Sequence, residues 1–220
     1  MSRKYDAVIF DLDGTLVDTE EDYTVSCIGK VLAKLGVIGN DVSRDEYFQV
    51  AKQFWTGFKN RDLLIREEFN LDPVDFWRTF QTFDSPEQRV LHSFAYPDCY
   101  ILEQLKNEGL QLGLCTDAPE AVANLELLLL PVKLDYVVCA NSGSIPSKPD
   151  PRGLLTCLSR LNVSNERAIF LGNADVDIHT AKNANVFGGV VIRDLEYACV
   201  HSPDFSVGGL VEFREKYLIG

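Results

Sequence analysis

The sequence predicts an α/β fold in which a parallel sheet is interrupted by an all-helical insert. From Tyr96 onward, short apolar runs alternate with helical segments, which is typical of parallel strands joined by right-handed crossovers. The apolar run Tyr5–Phe10 has the same character but stands alone at the start of the chain. Between about residues 18 and 94 only helical patterns occur. The first strand therefore belongs to the later sheet, and the helical stretch is an insert that follows it.

Turn and cap residues place the elements of the sheet domain. Gly109 stops a helix before one strand, and Asp150-Pro151 opens a helix before another. The predicted strands are Tyr5–Phe10, Leu110–Cys115, Tyr136–Ala140, Ala168–Leu171 and Val186–Ile192. We expect residues 1–17 and 95–220 to form one core domain built on these strands.

Helical spacing and cap signals define the insert. Ser85 followed by Gln88 fits a capping box, and Pro73 and Pro86 suit the first position of a helix. The apolar residues with helical spacing are Val25, Ile28, Leu32 and Leu35, then Phe76, Phe80 and Phe83. They are expected to form the core of a helical bundle. We expect residues 18–94 to form this separate all-helical domain.

The composition excludes several classes of partner. The chain has 220 residues and a formal net charge of −12, which does not suit a protein that binds a nucleic-acid backbone. The N-terminal stretch lacks the long apolar segment of a signal peptide, and no stretch approaches a membrane-spanning length. The six cysteines form no C-x-x-C pair. We expect a cytoplasmic protein with no nucleic-acid or membrane partner, present as a monomer or a homodimer.

Ionisable and polar residues collect in the loops that follow the predicted strands. Asp11 and Asp13 come after the first strand, two positions apart, so both are predicted to point to the same face. Two such carboxylates repel, and burying either one unpaired is costly, so a cation is expected nearby. Later strands are followed by Thr116, Asp117, Lys148, Asn173, Asp175 and Asp177. Ligands of open α/β sheets bind at the carboxyl ends of strands, which predicts one shared site.

A lysine, a hydroxyl and several carboxylates are suited to phosphoryl transfer assisted by Mg²⁺. This ion prefers oxygen ligands and is usually held by one or two carboxylates, water and a substrate phosphate. A carboxylate can attack phosphorus to form an acyl phosphate, and a second one can move the proton of the leaving group. Lys148 and Thr116 would bind the phosphoryl oxygens and neutralise their charge.

Four stretches carry a family resemblance in order and spacing: "DLDGTLVDTE", "LCTDAP", "SKPDP" and "FLGNADVDIHTAKNANV". They resemble the four motifs of the haloacid dehalogenase (HAD) superfamily. The match is closest to the branch with a helical C1-type cap inserted after the first motif, which includes phosphoglycolate phosphatases and β-phosphoglucomutases. The resemblance implies a Rossmann-like parallel core, with residues 18–94 as the cap domain.

The resemblance also assigns a role to each matching residue. It implies that Asp11 is the nucleophile and Asp13 the general acid/base. The implied phosphate-binding residues are Thr116, Asp117 and Lys148, and the implied ligands of Mg²⁺ are Asp11, Asp13 through its carbonyl, Asp177 and Asn173. In the cap, the stretch "FWTGFKNRD" is the candidate specificity loop, where Lys59 and Arg61 would meet a second anionic group of the substrate.

Two departures from the family pattern bear on activity. The fourth motif usually reads G-D-x-x-x-D, whereas Asn173 replaces the first of these acids here. The second motif usually has asparagine after Ser/Thr, whereas this chain has Asp117. Both departures are expected to weaken the binding of metal or substrate.

The leading interpretation is a Mg²⁺-dependent phosphatase that hydrolyses a small phosphorylated metabolite through an aspartyl-phosphate intermediate. A dehalogenase needs no metal and no acid two residues after the nucleophile, so Asp13 argues against that activity. A phosphomutase of the β-phosphoglucomutase type shares the same core motifs and stays open as an alternative. A catalytically weak member that binds a phospholigand or a partner protein is the third interpretation, supported by Asn173 and Asp117.

Overall fold

The computed structural model describes residues 4–38, 43, 45, 48–52, 61–140, 145–193 and 202–218. The chain forms two compact units. The first consists of Met1–Asp18 together with Phe94–Gly220, and the second of Thr19–Ser93. Within the described ranges, no helix combines the length and apolar character needed to span a bilayer.

The first unit is built on a six-stranded sheet. In chain order the strands are β1 (Ala7–Phe10), β2 (Val17–Thr19), β3 (Ser93–Ala95), β4 (Gln111–Thr116), β5 (Tyr136–Cys139), β6 (Ala168–Gly172), β7 (Phe187–Val191) and β8 (Phe205–Val207). The large sheet has the order β5-β4-β1-β6-β7-β8, and its strands pair in parallel. The predicted α/β fold with a parallel core is confirmed. Sequence reasoning missed β8, because a three-residue strand is too short to show a pattern.

Helices cover both faces of this sheet. Among the described residues, the helices with assigned bounds are α1 (Glu21–Lys34), α2 (Arg61–Glu67), α3 (Pro73–Phe80) and α4 (Pro86–Val90) in the second unit. In the first unit they are α5 (Ile101–Asn107), α6 (Glu120–Glu126), α7 (Arg152–Leu161), α8 (Asp175–Asn183) and α9 (Leu210–Tyr217). Alternate residues of β1 belong to different apolar clusters: Val8 and Phe10 pack with residues of α5 and α9, whereas Ala7 and Ile9 pack with residues of α7 and α8. This alternation follows from the period of two in a strand, and it explains why the strands read as continuous apolar runs.

Local signals fix the helix ends as the sequence indicates. Gly109, after α5, has a φ of +82°, and Asn162 ends α7 in the left-handed conformation with a φ of 56°. Asp150 Oδ1 accepts a hydrogen bond of 3.0 Å from the backbone N–H of Arg152 at the start of α7. These caps satisfy polar groups at the helix ends and hold each helix to its place along the sheet.

The second unit is helical, with its own apolar core. Buried residues of α1, α2 and α3 form one cluster: Val25, Ile28, Leu32, Leu64, Ile65, Phe76 and Phe80 are among its members. Ser85 accepts from the N–H of Gln88 at 3.3 Å, as the predicted cap requires, and Asp72 accepts from the N–H of Val74 at 2.9 Å. Pro73 and Pro86 stand at the first positions of the helices that these residues cap, as predicted. The expectation that residues 18–94 contain only helix is wrong at the ends. There β2 and β3 pair as a separate two-stranded sheet, because distant segments can pair without a local sequence signal.

Candidate active site

Strand β1 ends between its two neighbours, β4 and β6, close to their carboxyl ends. Phe10, the last residue of β1, is level with Leu114 in β4 and with Leu171 in β6. The next residue, Asp11, continues the ladder through its N–H, which donates to the carbonyl of Leu171 at 2.9 Å. Thr116 ends β4 at the same carboxyl edge. The structure therefore places the predicted first and second motifs next to each other.

A buried lysine joins two of the predicted acids. Lys148 Nζ lies 2.8 Å from Asp11 Oδ1 and 2.6 Å from Asp177 Oδ1. All three side chains are buried, with exposed fractions of 4%, 8% and 1% for Lys148, Asp11 and Asp177. Ion pairs this well shielded from water are strong but are costly to desolvate. The three residues come from positions 11, 148 and 177, and only the fold brings them together.

The electrostatics of this cluster follow from its burial. Burial raises the pKa of Asp11 to about 7, since the attraction of Lys148 offsets only part of the desolvation and Asp177 adds repulsion. Burial by itself lowers the pKa of Lys148, but the carboxylates of Asp11 and Asp177 outweigh it and hold that pKa well above its ordinary value. Lys148 is therefore a fixed positive charge, and it is shared between two acids.

Asp177 is held by the two residues that precede its own helix. Its Oδ2 accepts from the backbone N–H groups of Asn173 at 3.1 Å and Ala174 at 3.0 Å. A carboxylate at a helix N-terminus also interacts favourably with the helix dipole. Gly172 is required here because a Cβ at that position would lie 2.3 Å from the Asp177 carboxylate. The spacing from Gly172 to Asp177 thus has a structural reason besides any role in catalysis.

The turn after β1 brings Asp13 beside the fourth motif. Gly14 has a φ of +71°, and its N–H donates to the carbonyl of Val17 at 2.7 Å. A Cβ on Gly14 would lie 2.1 Å from Asn173 Nδ2, so the amide of Asn173 packs directly against this turn. Glycine is needed both for the left-handed backbone and for this close approach. The residue that departs from the family pattern is therefore in contact with the Asp13 turn.

Thr116 and Asp117 have different surroundings. Thr116 is buried, and its hydroxyl oxygen accepts from the N–H of Ala118 at 3.1 Å, which leaves the hydroxyl proton available as a donor. Asp117 Oδ1 accepts from the backbone N–H of Lys148 at 3.0 Å. Burial raises the pKa of Asp117. Sequence reasoning missed this contact, which ties Asp117 to the loop that carries Lys148.

The two predicted specificity residues, Lys59 and Arg61, fall where the structure describes no side chain. Lys59 lies outside the described residues, and α2 begins at Arg61, whose side chain is also outside them.

Sequence reasoning also passed over Arg193, which follows β7 and donates to the carbonyl of Thr15 in the Asp13 turn. The sequence pattern that could have singled out Arg193 is an arginine placed directly after an apolar strand.

The donor set of the cluster suits a hard divalent cation. When both are ionised, Asp11 and Asp177 share one ammonium group, so a negative charge remains to be neutralised. Among the described residues, no group of three or more His, Cys, Asp or Glu side chains is arranged to hold a metal. Mg²⁺ commonly takes only one or two protein carboxylates and fills its other positions with water and substrate oxygens. The two buried aspartates supply oxygen donors of the kind that Mg²⁺ takes, and the Asn173 amide packs against the turn that follows Asp13.

A parallel sheet with buried ionised groups at its carboxyl edge is typical of an α/β enzyme. The sequence model of the haloacid dehalogenase-like hydrolases matches residues 8–191. The chain therefore belongs to the haloacid dehalogenase-like hydrolase family, and the predicted resemblance is confirmed.

Relatives with curated names match nearly the whole chain. A phosphoglycolate phosphatase of Rhodospirillum rubrum is 30% identical over 229 residues, which cover 97% of this chain and 89% of that protein. Pyrophosphatase PpaX of Bacillus velezensis is 27% identical over 222 residues, with 92% of each chain covered. The crystal structure of a HAD phosphatase from Thermococcus onnurineus superposes with a TM-score of 0.67 at 25% identity, and 96% of each chain is covered.

Proposed function

We propose that this protein is a Mg²⁺-dependent phosphatase that hydrolyses a small phosphorylated metabolite through an aspartyl phosphate on Asp11. The observation that carries the proposal is the buried cluster in which Lys148 lies within 2.8 Å of Asp11 and 2.6 Å of Asp177. Such a cluster offers a carboxylate that can act as nucleophile beside a fixed positive charge, and this combination suits phosphoryl transfer through an aspartyl phosphate. The names of the relatives, a phosphoglycolate phosphatase and a pyrophosphatase, support a phosphate ester or anhydride as substrate.

The proposed reaction has two steps. In the first, a carboxylate oxygen of Asp11 forms a bond to phosphorus while the bond to the leaving oxygen breaks, and Asp13 gives that oxygen its proton. In the second, Asp13 takes a proton from water as the water oxygen attacks phosphorus, so that inorganic phosphate leaves and the Asp11 carboxylate is restored. Lys148 and the hydroxyl of Thr116 hold the phosphoryl oxygens and offset the charge that spreads over them.

Mg²⁺ would be held by the carboxylates of Asp11 and Asp177, the main-chain carbonyl of Asp13 and the amide oxygen of Asn173. When bound, it supplies positive charge to the phosphoryl oxygens and thereby eases attack by an anionic nucleophile. The remaining negative charge of the Asp11–Lys148–Asp177 cluster supports this assignment. We propose Asp117 as a residue that orders the phosphate site through its hydrogen bond to the Lys148 backbone.

We propose that the helical unit Thr19–Ser93 serves as the cap that selects the substrate, with Lys59 and Arg61 in its specificity loop. The proposal is supported by the position of this unit in the chain, as an insert that directly follows the Asp13 turn. Its separate apolar core allows it to vary without disturbing the sheet unit. The two chain crossings between the units are the expected hinges of a mobile cap.

A panel of phosphorylated metabolites tests the proposed function. It would contain phosphoglycolate, pyrophosphate, hexose phosphates and nucleoside monophosphates, each assayed for phosphate release with Mg²⁺ and with EDTA. We expect Mg²⁺-dependent release from at least one small member of the panel. Conversion of a hexose 1-phosphate to the 6-phosphate without phosphate release would instead support the mutase. Binding of panel members with no turnover of any of them would support the catalytically weak alternative.

Asp13→Asn is expected to reduce kcat/KM selectively for substrates with poor leaving groups. A sugar alkoxide needs a proton as it leaves, whereas p-nitrophenolate does not, so only the former depends on an acid at position 13. We expect a loss of about 10²-fold or more on alkyl phosphates and a much smaller loss on p-nitrophenyl phosphate. The kcat/KM on each substrate measures the difference, because it reports only the steps up to departure of the leaving group and not the shared hydrolysis of the aspartyl phosphate. Asp6→Asn, at the far end of β1, is the control. Equal losses on both substrates would contradict the assignment of Asp13.

Asn173→Asp is expected to strengthen Mg²⁺ binding. A neutral amide oxygen is a weaker ligand for a hard cation than a carboxylate, so the added charge should tighten binding in the absence of substrate. The gain should shrink when vanadate is present, because a phosphate analogue brings its own charge to the ion. Titration calorimetry of Mg²⁺ into the wild type and the variant measures both effects. An unchanged affinity in both states would place Asn173 outside the reach of the metal.

A further inference from the structure

We propose that Arg193 is a positioning residue that fixes the turn carrying Asp13 by holding the main-chain carbonyl of Thr15. The inference rests on the proposed function in one respect, namely that Asp13 is the proton donor. Arg193 follows β7, lies 180 residues after Asp13 in the chain, and is largely buried, with a side-chain exposure of 14%. Its Nη2 donates to the Thr15 carbonyl at 2.7 Å.

The turn itself leaves the Thr15 carbonyl for an external donor. Its internal hydrogen bonds converge on Leu12, whose carbonyl accepts from the N–H groups of Leu16 at 2.9 Å and Val17 at 3.1 Å. Gly14 closes the turn by donating to the carbonyl of Val17. The Thr15 carbonyl is thus directed away from these bonds and towards the guanidinium. A shift of Arg193 would therefore act directly on the peptide that lies two residues after Asp13.

Arg193 is held on two sides. Its Nη1 lies 2.8 Å from Asp98 Oδ2, which also accepts from the N–H of Leu210 at 2.7 Å. Its guanidinium carbon lies 4.0 Å from the centre of the Tyr96 ring, which is the stacking geometry of a cation–π contact. These contacts fix the guanidinium plane, so the direction in which Nη2 donates is fixed as well.

The segment of residues 96–99, which holds Arg193 through Tyr96 and Asp98, also binds the second half of the turn. The N–H of Tyr96 donates to the carbonyl of Leu16 at 3.0 Å, and Cys99 Sγ donates to that same carbonyl at 3.2 Å. The hydroxyl of Tyr96 donates to Asp18 Oδ2 at 2.5 Å. The carbonyls of Thr15 and Leu16 are therefore both held from outside the turn, one by Arg193 and the other by the segment that anchors Arg193.

The geometry of the ion pair favours positioning over stability. A guanidinium can bind a carboxylate at two points through Nε and Nη2 or through Nη1 and Nη2, and both arrangements use Nη2. Arg167 uses the first: its Nε and Nη2 bind the two oxygens of Asp6 at 2.8 and 2.7 Å. Arg193 instead gives Nη2 to Thr15 and contacts Asp98 through Nη1. Within the described part of the chain, Arg193 Nε, Asp98 Oδ1 and Thr15 Oγ1 are buried without a hydrogen-bond partner. Buried polar groups without a hydrogen-bond partner lower the stability of the fold. The one-point geometry of the Arg193–Asp98 pair is therefore kept at the expense of stability.

The test compares Arg193→Met with the matched substitution Arg167→Met. Hydrogen exchange of the backbone amides of Leu16 and Val17 reports on the turn whether or not the protein is a phosphatase. We expect exchange of these amides to become at least about tenfold faster in Arg193→Met and to stay unchanged in Arg167→Met. Folded Arg193→Met protein whose turn amides exchange at the wild-type rate would overturn the proposal.

Kinetics then link the turn to Asp13. If Arg193 positions the proton donor, Arg193→Met should lower kcat/KM on alkyl phosphates at least about tenfold more than kcat/KM on p-nitrophenyl phosphate, because kcat/KM reports only the steps up to departure of the leaving group. In an Asp13→Asn background the same substitution should leave that ratio unaltered, because the donor is already lost. If Arg193→Met alone loses equal activity on both substrates, the proposed link between Arg193 and the proton donor Asp13 is overturned. Failure of the wild type to hydrolyse either substrate would instead contradict the proposed function, and the exchange result would still decide the role of Arg193 in the turn.

Milder variants keep the test decisive if Arg193→Met does not fold. Arg193→Lys retains the charge but cannot reach Asp98 and Thr15 in the same way, since one ammonium replaces a planar fork. Asp98→Asn retains an acceptor for the N–H of Leu210 and removes the charge that anchors Arg193. Both are expected to change the turn amides and the leaving-group ratio in the same direction as Arg193→Met, though by less. Wild-type behaviour of both variants would overturn the proposal.

Discussion

Asp11→Asn is expected to abolish turnover while the protein stays folded. An amide cannot form an acyl phosphate, so the covalent step is lost and not merely slowed. We expect kcat to fall by about 10⁴-fold or more, the scale that follows removal of a nucleophile. The fold should persist because Lys148 keeps Asp177 as a partner at 2.6 Å and because an asparagine side chain has the shape of the aspartate it replaces.

The matched control for Asp11→Asn is Asp6→Asn, at the opposite end of the same strand. Asp6 makes a two-point ion pair with Arg167, so this variant loses a charge and an ion pair without touching the proposed site. Its turnover should equal that of the wild type. Mass spectrometry of the wild type quenched during turnover should find one phosphoryl group on the peptide that contains Asp11. Turnover of Asp11→Asn within about tenfold of the wild type, with mass analysis showing that the asparagine is intact, would contradict the assignment of Asp11 as the nucleophile.

The sheet could be predicted, and candidate site residues could be proposed, because both depend on local patterns. Each predicted strand is an apolar run bounded by turn or cap residues, and polar residues follow directly. Parallel strands present their carboxyl ends at one edge, so the proximity of Asp11 and Thr116 follows from topology. The glycines of the first and fourth motifs also have local reasons: Gly14 makes room for Asn173, and Gly172 makes room for Asp177.

The contacts of the charged side chains could not be predicted, because they join residues that are distant in sequence. Asp98 and Arg193 are separated by 95 positions, and no spacing rule connects them. Asp117 looked like an unfavourable charge near a phosphate, yet the structure shows its carboxylate bonded to the Lys148 backbone. The short strands β2, β3 and β8 were missed for a related reason, since three residues carry too little pattern and pairing depends on a partner strand.

Lys148→Met is expected to destroy activity and to lower stability strongly. Methionine fills a similar volume but leaves the carboxylates of Asp11 and Asp177 buried and facing each other without a cation. Removing one partner of a buried ion pair typically costs about 3–5 kcal/mol in the free energy of unfolding. We expect a loss of this size in urea denaturation of the metal-free protein, together with loss of turnover, since no fixed charge then binds the phosphoryl oxygens. Lys216→Met is the control, because Lys216 pairs with Glu212 on an exposed helix surface and its removal should leave both properties unchanged.

The double variant Lys148→Met/Asp11→Asn separates the two causes of that loss. If the instability comes from two unpaired carboxylates, neutralising Asp11 should restore part of the stability, because only Asp177 then remains charged and its Oδ2 is still held by two backbone N–H groups. The effects of the two substitutions should therefore not add. Turnover should stay absent, because both the nucleophile and the phosphate-binding charge are gone. A stability loss for Lys148→Met no larger than that of Lys216→Met would contradict this account, because it would mean that the lysine does not hold the two acids together in solution.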